Sequence, residues 1–303
     1  MISATGVRYF AEVTRRGSFR AAAEHLAVAA SAISRQVALL EEQLGAPLFE
    51  RSRGRSALRL TAAGEILMQY ARSVDNEMQR VQSEIEALRG LRKGHVRVGI
   101  PESFTRDFFP AFLAGFSRQF PRITFQVEMA GTPRLLDLVV AGELDATLSF
   151  NPPPMADIKH VFERTLPTCV LVPRGHPLAE RPSVRLSDCA EYGMALPDLA
   201  TSAKRVYDEM FAKAKIRPHA LLVSNSYELL RGAAMHGMGI AILNPHLNEK
   251  NSARATYRYV PIRDPRVKPQ RFTVSVQHGR SLPIAAATFV DSLVQALAED
   301  DKP

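Results

Sequence analysis

Two cysteines are all that this chain of 303 residues carries, and Cys169 and Cys189 form no CxxC pair and have no histidine at zinc-finger spacing. Neither a disulfide framework nor a structural zinc site is indicated. Both cysteines are expected to be buried, inert thiols, with a redox-switch pair as the sharper alternative. Long apolar runs are missing as well: no stretch approaches the ~18 uninterrupted apolar residues of a membrane-spanning helix. The first residues, Met1 to Phe10, lack the basic segment, apolar run and small-residue cleavage site of a secretory signal. The expectation is a cytoplasmic chain with no membrane partner. Nor is there a Gly-x-Ser-x-Gly elbow, a Walker loop, an HExxH pair or a carboxylate pair with an evident partner. No catalytic residue, metal ligand or cofactor is therefore expected. Gly237-Met-Gly239 fits a turn or close packing better than a phosphate cradle, and His176 and His236 read as surface or supporting residues.

Lysine does not occur before Lys93, so arginine supplies every cationic side chain up to that point. Arginine favours planar, forked contacts over diffuse point charges. Across the chain 39 Lys and Arg outnumber 31 Asp and Glu, a formal net charge of +8 that suits a polyanionic partner. With 46% hydrophobic content at this length, more than one core is expected.

Residues 1–60 read as a helix-turn-helix head. Val7, Phe10, Ala11 and Val13 lie roughly one turn apart, and Arg15-Arg16-Gly17 closes that helix. Ser18 is placed to cap a short helix with apolar Phe19, Ala22, Ala23 and Leu26. A small-residue turn over residues 27–30 leads to a third helix over residues 30–44. There Ile33, Val37, Leu40 and Leu44 form the apolar stripe, and Gly45 ends the helix. Ser31, Ser34, Arg35 and Gln36 point to another face. Hydroxyls and N–H groups near a helix start bind phosphate oxygens, and arginine reaches a guanine edge in the major groove. Together with Ser18, Arg20 and Thr61, these residues are the candidate contacts to double-stranded DNA. Arg51-Ser-Arg53-Gly-Arg55, with Arg59 beyond it, forms a basic hairpin-like loop suited to lie along phosphates as a wing. A small helical bundle with a solvated basic loop fits the same residues.

From Thr61 no proline occurs until Pro101, and Leu67, Ala71, Val74, Met78, Val81, Ile85 and Leu88 recur at spacings of four and three. Asp75, Asn76, Glu77, Arg80, Gln82 and Glu84 fill the other faces. This seam predicts a dimerising linker helix over residues 61–93, against the alternative of a single helix packed on its own domain. Two heads on one seam would face successive major grooves and favour a dyad-symmetric site.

Residues 94–303 alternate strand and helix signals. Strands are expected at residues 95–100, 123–129, 146–150, 169–172, 193–195, 221–223, 240–243 and 271–276, with a helix that includes residues 108–116. Such alternation predicts open α/β sheets whose ligands bind beyond the carboxyl ends of strands. Those ends carry Glu102-Ser103, Gly131-Thr132, Ser149-Phe150-Asn151 and Asn225-Ser226, a set that can converge on a small-molecule effector. Taken singly, each Ser or Thr there could equally be a helix cap.

The head resembles that of the LysR-type transcriptional regulators. The likeness is carried by Gly17-Ser-Phe-Arg-Ala-Ala-Ala-Glu-His-Leu26, Ser31-Ala-Ile-Ser-Arg-Gln-Val37, Leu40-Glu-Glu-Gln-Leu-Gly45, Leu48-Phe-Glu-Arg51 and Leu60-Thr-Ala-Ala-Gly64. Further along, Val96-Arg-Val-Gly-Ile100, Phe109-Pro-Ala-Phe-Leu113, Phe120-Pro121, Leu144-Asp145-Ala146, Pro173-Arg-Gly-His-Pro177 and Gly237-Met-Gly-Ile240 resemble the family's effector domain. The resemblance implies an α/β multidomain chain: an α-rich winged helix-turn-helix, a long linker helix, and a two-lobed domain like type 2 periplasmic binding proteins. It implies one lobe from residues 94–163 and 266–303, a second from residues 164–265, and an effector cleft between them. Glu102, Ser103, Thr132, Phe150, Asn151, Thr201, Ser202, Asn225 and Ser226 are the implied cleft residues. A homodimer or homotetramer on double-stranded promoter DNA is implied, with RNA polymerase as a candidate further partner.

Two departures from the family pattern stand out. Ala29-Ala30-Ser31 replaces the usual Ser-Gln-Pro or Ser-Gln-Ser, so the base-reading glutamine is missing and readout there is expected to fall to apolar contact, Arg35 and DNA shape. Glu102 stands where the family more often has a neutral residue. A transporter's solute-binding component and an enzyme with a DNA-binding appendage are the alternatives. The added head opposes the first and the lack of a nucleophile or base opposes the second.

Overall fold

The structure, a computed structural model, describes residues 3–50, 58–88, 93–106, 108–198, 202–245 and 256–299, with the backbone alone for residues 83, 86–88 and 202–205. The chain divides into two compact units, Met1–Gln82 and Ser83–Pro303.

In the first unit α1 (Ala4–Arg16), α2 (Phe19–Leu26) and α3 (Ala30–Leu44) follow the apolar periodicity closely. The Ser3 hydroxyl accepts from the Gly6 amide to open α1, and Gly17, at φ 70°, closes it. Ser18 caps α2 by accepting from the Ala21 amide at 3.1 Å. Ala27 then turns the chain in the left-handed region at φ 53°, where a Cβ costs roughly 1–2 kcal/mol. Ile33, Val37 and Leu40 are wholly buried against Phe10, Val13 and Ala22, each contributing on the order of 1.5–3 kcal/mol. Leu44 departs from the expected stripe: it is 37% exposed, because the last turn of α3 overhangs the small core.

An antiparallel bridge pairs Phe49 with Leu60, and the Glu50 N–H donates to the Arg59 carbonyl. Helix α4 (Ala62–Leu88) follows. Gly64 sits so close to the Leu48 carbonyl oxygen that a Cβ would lie 2.2 Å from it, so only glycine allows this packing. The heptad positions split. Leu67 and Ala71, with Met68, complete the head core, whereas Val74, Met78, Val81 and Ile85 are exposed. Asn76, expected on a polar face, is buried.

The second unit holds two five-stranded mixed sheets. Its elements are β1 (Gly94–Ile100), α5 (Phe108–Gln119), β2 (Ile123–Met129), α6 (Thr132–Val140), β3 (Ala146–Phe150), β4 (Ile158–Leu166) and β5 (Cys169–Pro173). Then come α7 (Leu186–Cys189), β6 (Gly193–Pro197), α8 (Ser202–Ala214), β7 (His219–Ser224), α9 (Tyr227–Met235), β8 (Ile240–Leu243), β9 (Tyr257–Pro261), β10 (Gln270–Gln277) and α10 (Ile284–Glu299). One sheet has the order β2-β1-β3-β10-β4 and the other β7-β6-β8-β5-β9. In each, three parallel strands continue into an antiparallel pair. The chain passes between the sheets twice, from β4 to β5 and from β9 to β10. Strands β4 and β9 escaped the sequence reading, and β9 ends on a proline.

The first lobe's core is phenylalanine-rich, with Phe109, Phe116, Phe272 and Phe289 buried among α5, α10 and the sheet. Asp145, also buried, receives the Arg97 amide and the Arg97 and Arg280 guanidinium groups, each at 2.9 Å. Two cations on one carboxylate tie β1 to the segment entering α10. Gly239, at φ 85°, lies where a Cβ would meet the Gly193 carbonyl oxygen at 2.3 Å, so the Gly-Met-Gly run serves close packing as expected. Among the described residues no helix is long and apolar enough to cross a membrane.

Candidate functional site

Burying one stripe of α3 turns the other outward. Ser31, Ser34 and Arg35 are exposed and Gln36 is half-buried. The cap residue Ala29 offers no side-chain acceptor to the start of α3, and its carbonyl takes the Ala32 amide at 2.9 Å, which leaves the Ala30 and Ser31 N–H groups for an external oxygen, the anion site a helix start provides. Ser18 and Arg20 are exposed at the start of α2; the Ser18 oxygen is committed to its cap, and Arg20 Nε meets Glu24 Oε1 at 3.1 Å. The Thr61 hydroxyl donates to the Pro47 carbonyl at 2.6 Å and accepts from the Gly64 amide at 3.1 Å. It anchors the start of α4 to the Pro47 backbone. Arg59, beside the Phe49–Leu60 bridge, is exposed. Arg51, Arg53 and Arg55 lie outside the described residues. Behind this surface His25 and Arg16 approach the buried Glu12, at 3.5 and 2.8 Å, a tie between α1 and α2 that the apolar pattern did not signal.

In the second unit a cavity of about 750 Å³ opens between the two lobes, at the carboxyl ends of β1, β3 and β8. Glu102, Ser103, Thr132, Phe150, Asn151, Asn225 and Ser226 all line it. Thr201 lies outside the described residues, and so does the side chain of Ser202, which begins α8. Phe104 is buried and stacks on Phe272 and Phe150, at 5.0 and 5.7 Å between ring centres. That stack fixes the short helical turn of Glu102–Phe104 at the cavity wall.

Several of the polar groups are used within the fold. The Thr132 hydroxyl is held by the Phe150 backbone. The Asn151 carboxamide oxygen accepts from the Arg271 amide at 2.9 Å, and its nitrogen donates to Gln270; Asn151, at φ 46°, thereby joins the end of β3 to the start of β10. Glu102 reaches across the cleft: its carboxylate accepts from the Ser226 hydroxyl at 2.7 Å and from the Tyr227 amide at 2.5 Å.

Tyr207, Lys213, Arg231, Arg266 and Lys268 also line the cavity and were not read from the sequence. Arg231, an arginine among Leu229, Leu230, Ala233 and Ala234, was the visible signal. It is buried, donating to Glu228 at 3.2 Å and to the Asn244 carbonyl at 3.3 Å. The Tyr207 hydroxyl donates to the Ile242 carbonyl, and burial raises its pKa above the usual phenol range. The cavity thus offers apolar walls with a few directed polar groups, the character of a small-molecule site. Among the described residues no group of three His, Cys, Asp or Glu could hold a metal ion.

Two family models together cover most of the sequence. The bacterial regulatory helix-turn-helix protein, lysR family, matches residues 5–65, and the LysR substrate binding domain matches residues 89–298. The chain is a LysR-type transcriptional regulator.

Curated relatives of the regulator include the uncharacterized HTH-type transcriptional regulator YybE of Bacillus subtilis, 30% identical over 250 residues, 82% of this chain and 85% of that one. Among solved structures, a full-length OxyR variant from Pseudomonas aeruginosa superposes with a TM-score of 0.72 at 23% identity, covering 98% and 95% of the two chains. Full-length CbnR complexed with its target DNA gives 0.61 at 22% identity, covering 96% and 99%. Both likenesses speak to the fold. The regulator therefore couples a DNA-binding head to a two-lobed effector domain, and its work is regulation, not catalysis.

Its cysteines sit in separate cores. Cys169 opens β5 and packs with Leu171 and Ala195, and Cys189 packs with Leu186 and Met194. Cys189 ends α7. His176 caps a short helical turn, its Nδ1 accepting from the Leu178 amide at 3.2 Å.

Proposed function

We propose that the regulator binds a dyad-symmetric promoter site through α3, and that a small molecule in the interlobe cavity controls this binding. The observation that carries the reading is the outward face of α3: Ser31, Ser34 and Arg35 exposed beside uncapped amides, over a core that fixes their spacing. Ser31, Ser34, Arg35 and Gln36 would enter the major groove, with the α3 amides, Ser18, Arg20, Thr61 and the wing arginines Arg51, Arg53 and Arg55 on phosphates. Ala30 would offer a thymine methyl only apolar contact.

The exposed row Val74, Met78, Val81 and Ile85 supports pairing of two linker helices into a dimer. Exposed Val127 and Met129 on the edge strand β2, and Leu221 and Val223 on the edge strand β7, supply further apolar surface for a pair of dimers. Ser103, Phe150, Asn225, Ser226 and the segment holding Thr201 and Ser202 would meet the effector, with Thr132 and Asn151 shaping the wall. Effector binding would then favour one assembly over another by differential affinity. The division into residues 1–60, 61–93 and 94–303, with lobes as read from the sequence, fits these roles, and a cytoplasmic location follows from a genomic DNA partner.

Footprinting of the purified chain on the DNA upstream of its own coding region tests the proposal. Protection of two half-sites about one helical turn, 10–10.5 bp, apart is the expected pattern. A single unpaired footprint would remove the dyad, and no footprint on any promoter fragment would remove the function.

A further inference from the structure

We infer that Glu102 is a resident anion: its carboxylate fills the oxyanion position at the start of α9, clasps the two lobes together, and confines the cavity to effectors that place no carboxylate or phosphate at that end. The inference rests on reading the interlobe cavity as the effector site.

Helix α9 is capped by Ser226, whose hydroxyl oxygen accepts from the Leu229 amide at 3.1 Å and whose proton goes to Glu102 Oε1 at 2.7 Å. The next amide, Tyr227 N–H, donates to Glu102 Oε2 at 2.5 Å. Both carboxylate oxygens are thus engaged by donors at a helix start, where the partial positive charge favours an anion. Bonds to an ionised acceptor are shorter and about twice as strong as neutral ones. Glu102 and Ser226 belong to different lobes, so each bond is also a crossing of the cleft. A second crossing of opposite polarity runs beside it, Arg106 to Glu228 at 4.0 Å. One crossing sets the Glu102 carboxylate against the hydroxyl and amide donors at the start of α9, and the other sets the Arg106 cation against the Glu228 carboxylate.

The Glu102 end of the clasp is stiff because Phe104, two residues on, is buried between Phe150 and Phe272. An incoming carboxylate or phosphate would have to evict Glu102 and then sit beside its charge. A neutral group, or a cation facing the carboxylate, meets no such opposition.

Chemical rescue in the full-length protein tests this. Glu102→Ala removes the carboxylate but leaves its donors, making room for acetate or formate as the probe. Its thermal unfolding is expected about 3–8 °C below that of the wild type. Sodium acetate should recover part of that loss beyond sodium chloride at equal ionic strength, while the wild type and Glu102→Ala/Ser226→Ala gain nothing specific. Glu102→Gln, which keeps the shape without the charge, should fall between and show no rescue, and it serves if the alanine variant does not fold. A Glu102→Ala protein that melts with the wild type, or gains no more from acetate than from chloride, overturns the clasp. Failure of the effector reading looks different: a wild-type protein that no metabolite panel stabilises, while the acetate rescue holds.

Discussion

The Thr132 hydroxyl donates to the Phe150 carbonyl oxygen at 3.0 Å and accepts from the Phe150 amide at 3.2 Å. One buried side chain thus stitches the first turn of α6 to the carboxyl end of β3, with its proton and one lone pair committed to backbone. Thr132 serves the cavity by holding Phe150 in its wall. Thr132→Val, equal in shape but unable to bond, should lower stability by about 1–3 kcal/mol, and Thr132→Ser should retain most of it. Urea unfolding followed by circular dichroism measures the difference. Unchanged stability in Thr132→Val would show that the hydroxyl is free for ligand instead.

Asp264 yields a prediction in pH. The Arg266 side chain forks onto its carboxylate, with both contacts at 2.8 Å, and the Arg266 and Leu186 amides add to it. The guanidinium bonds, chiefly, hold its pKa well below the carboxylate range against the opposing effect of burial. A depressed folded pKa means stability that is present above the unfolded value of about 3.9 and lost as pH falls below it. Asp264→Asn should therefore melt below the wild type at pH 7, with the gap narrowing below about pH 4. A gap that stays constant down to pH 3 would remove Asp264 from the acid response.

Burial pushes both thiols up to about 12, with the Asp188 charge adding to the effect at Cys189. Thiolate is the reactive form, so neither cysteine should react with a disulfide reagent at pH 8 until urea unfolds the chain. Peroxide should leave gel mobility under non-reducing conditions unchanged. Rapid labelling of native protein, or an oxidised band, would restore the redox switch.

Much of this was legible in the residues, and the failures have physical causes. Helices α1 to α3 were readable because small amphipathic helices bury one stripe, and Ser18 and Gly45 mark their ends chemically. Leu44 misled because periodicity states which side a residue faces but not where the core stops. Strands β4 and β9 were missed because both are sheet edges: β4 carries Lys159, His160, Glu163, Arg164 and Thr165, and β9 ends in Pro261, a residue that edges tolerate. The cavity residues were found as a class, since ligands gather at strand carboxyl ends. The bond from Glu102 to Ser226 was out of reach: 124 residues separate the partners, and only closure of the lobes brings them together.

Fluorescence anisotropy of the full-length chain on its own promoter fragment, across 50–200 mM salt, tests the account most directly. Affinity should fall linearly on a log–log plot, as release of counterions from several phosphates requires. Arg53→Ala should reduce that slope by roughly one, whereas Arg35→Ala should cost about 1–3 kcal/mol at the preferred site and relax its sequence preference. Affinity that does not respond to salt, or that Arg35→Ala leaves intact on its preferred sequence, would contradict the assignment of α3 as the element that reads DNA.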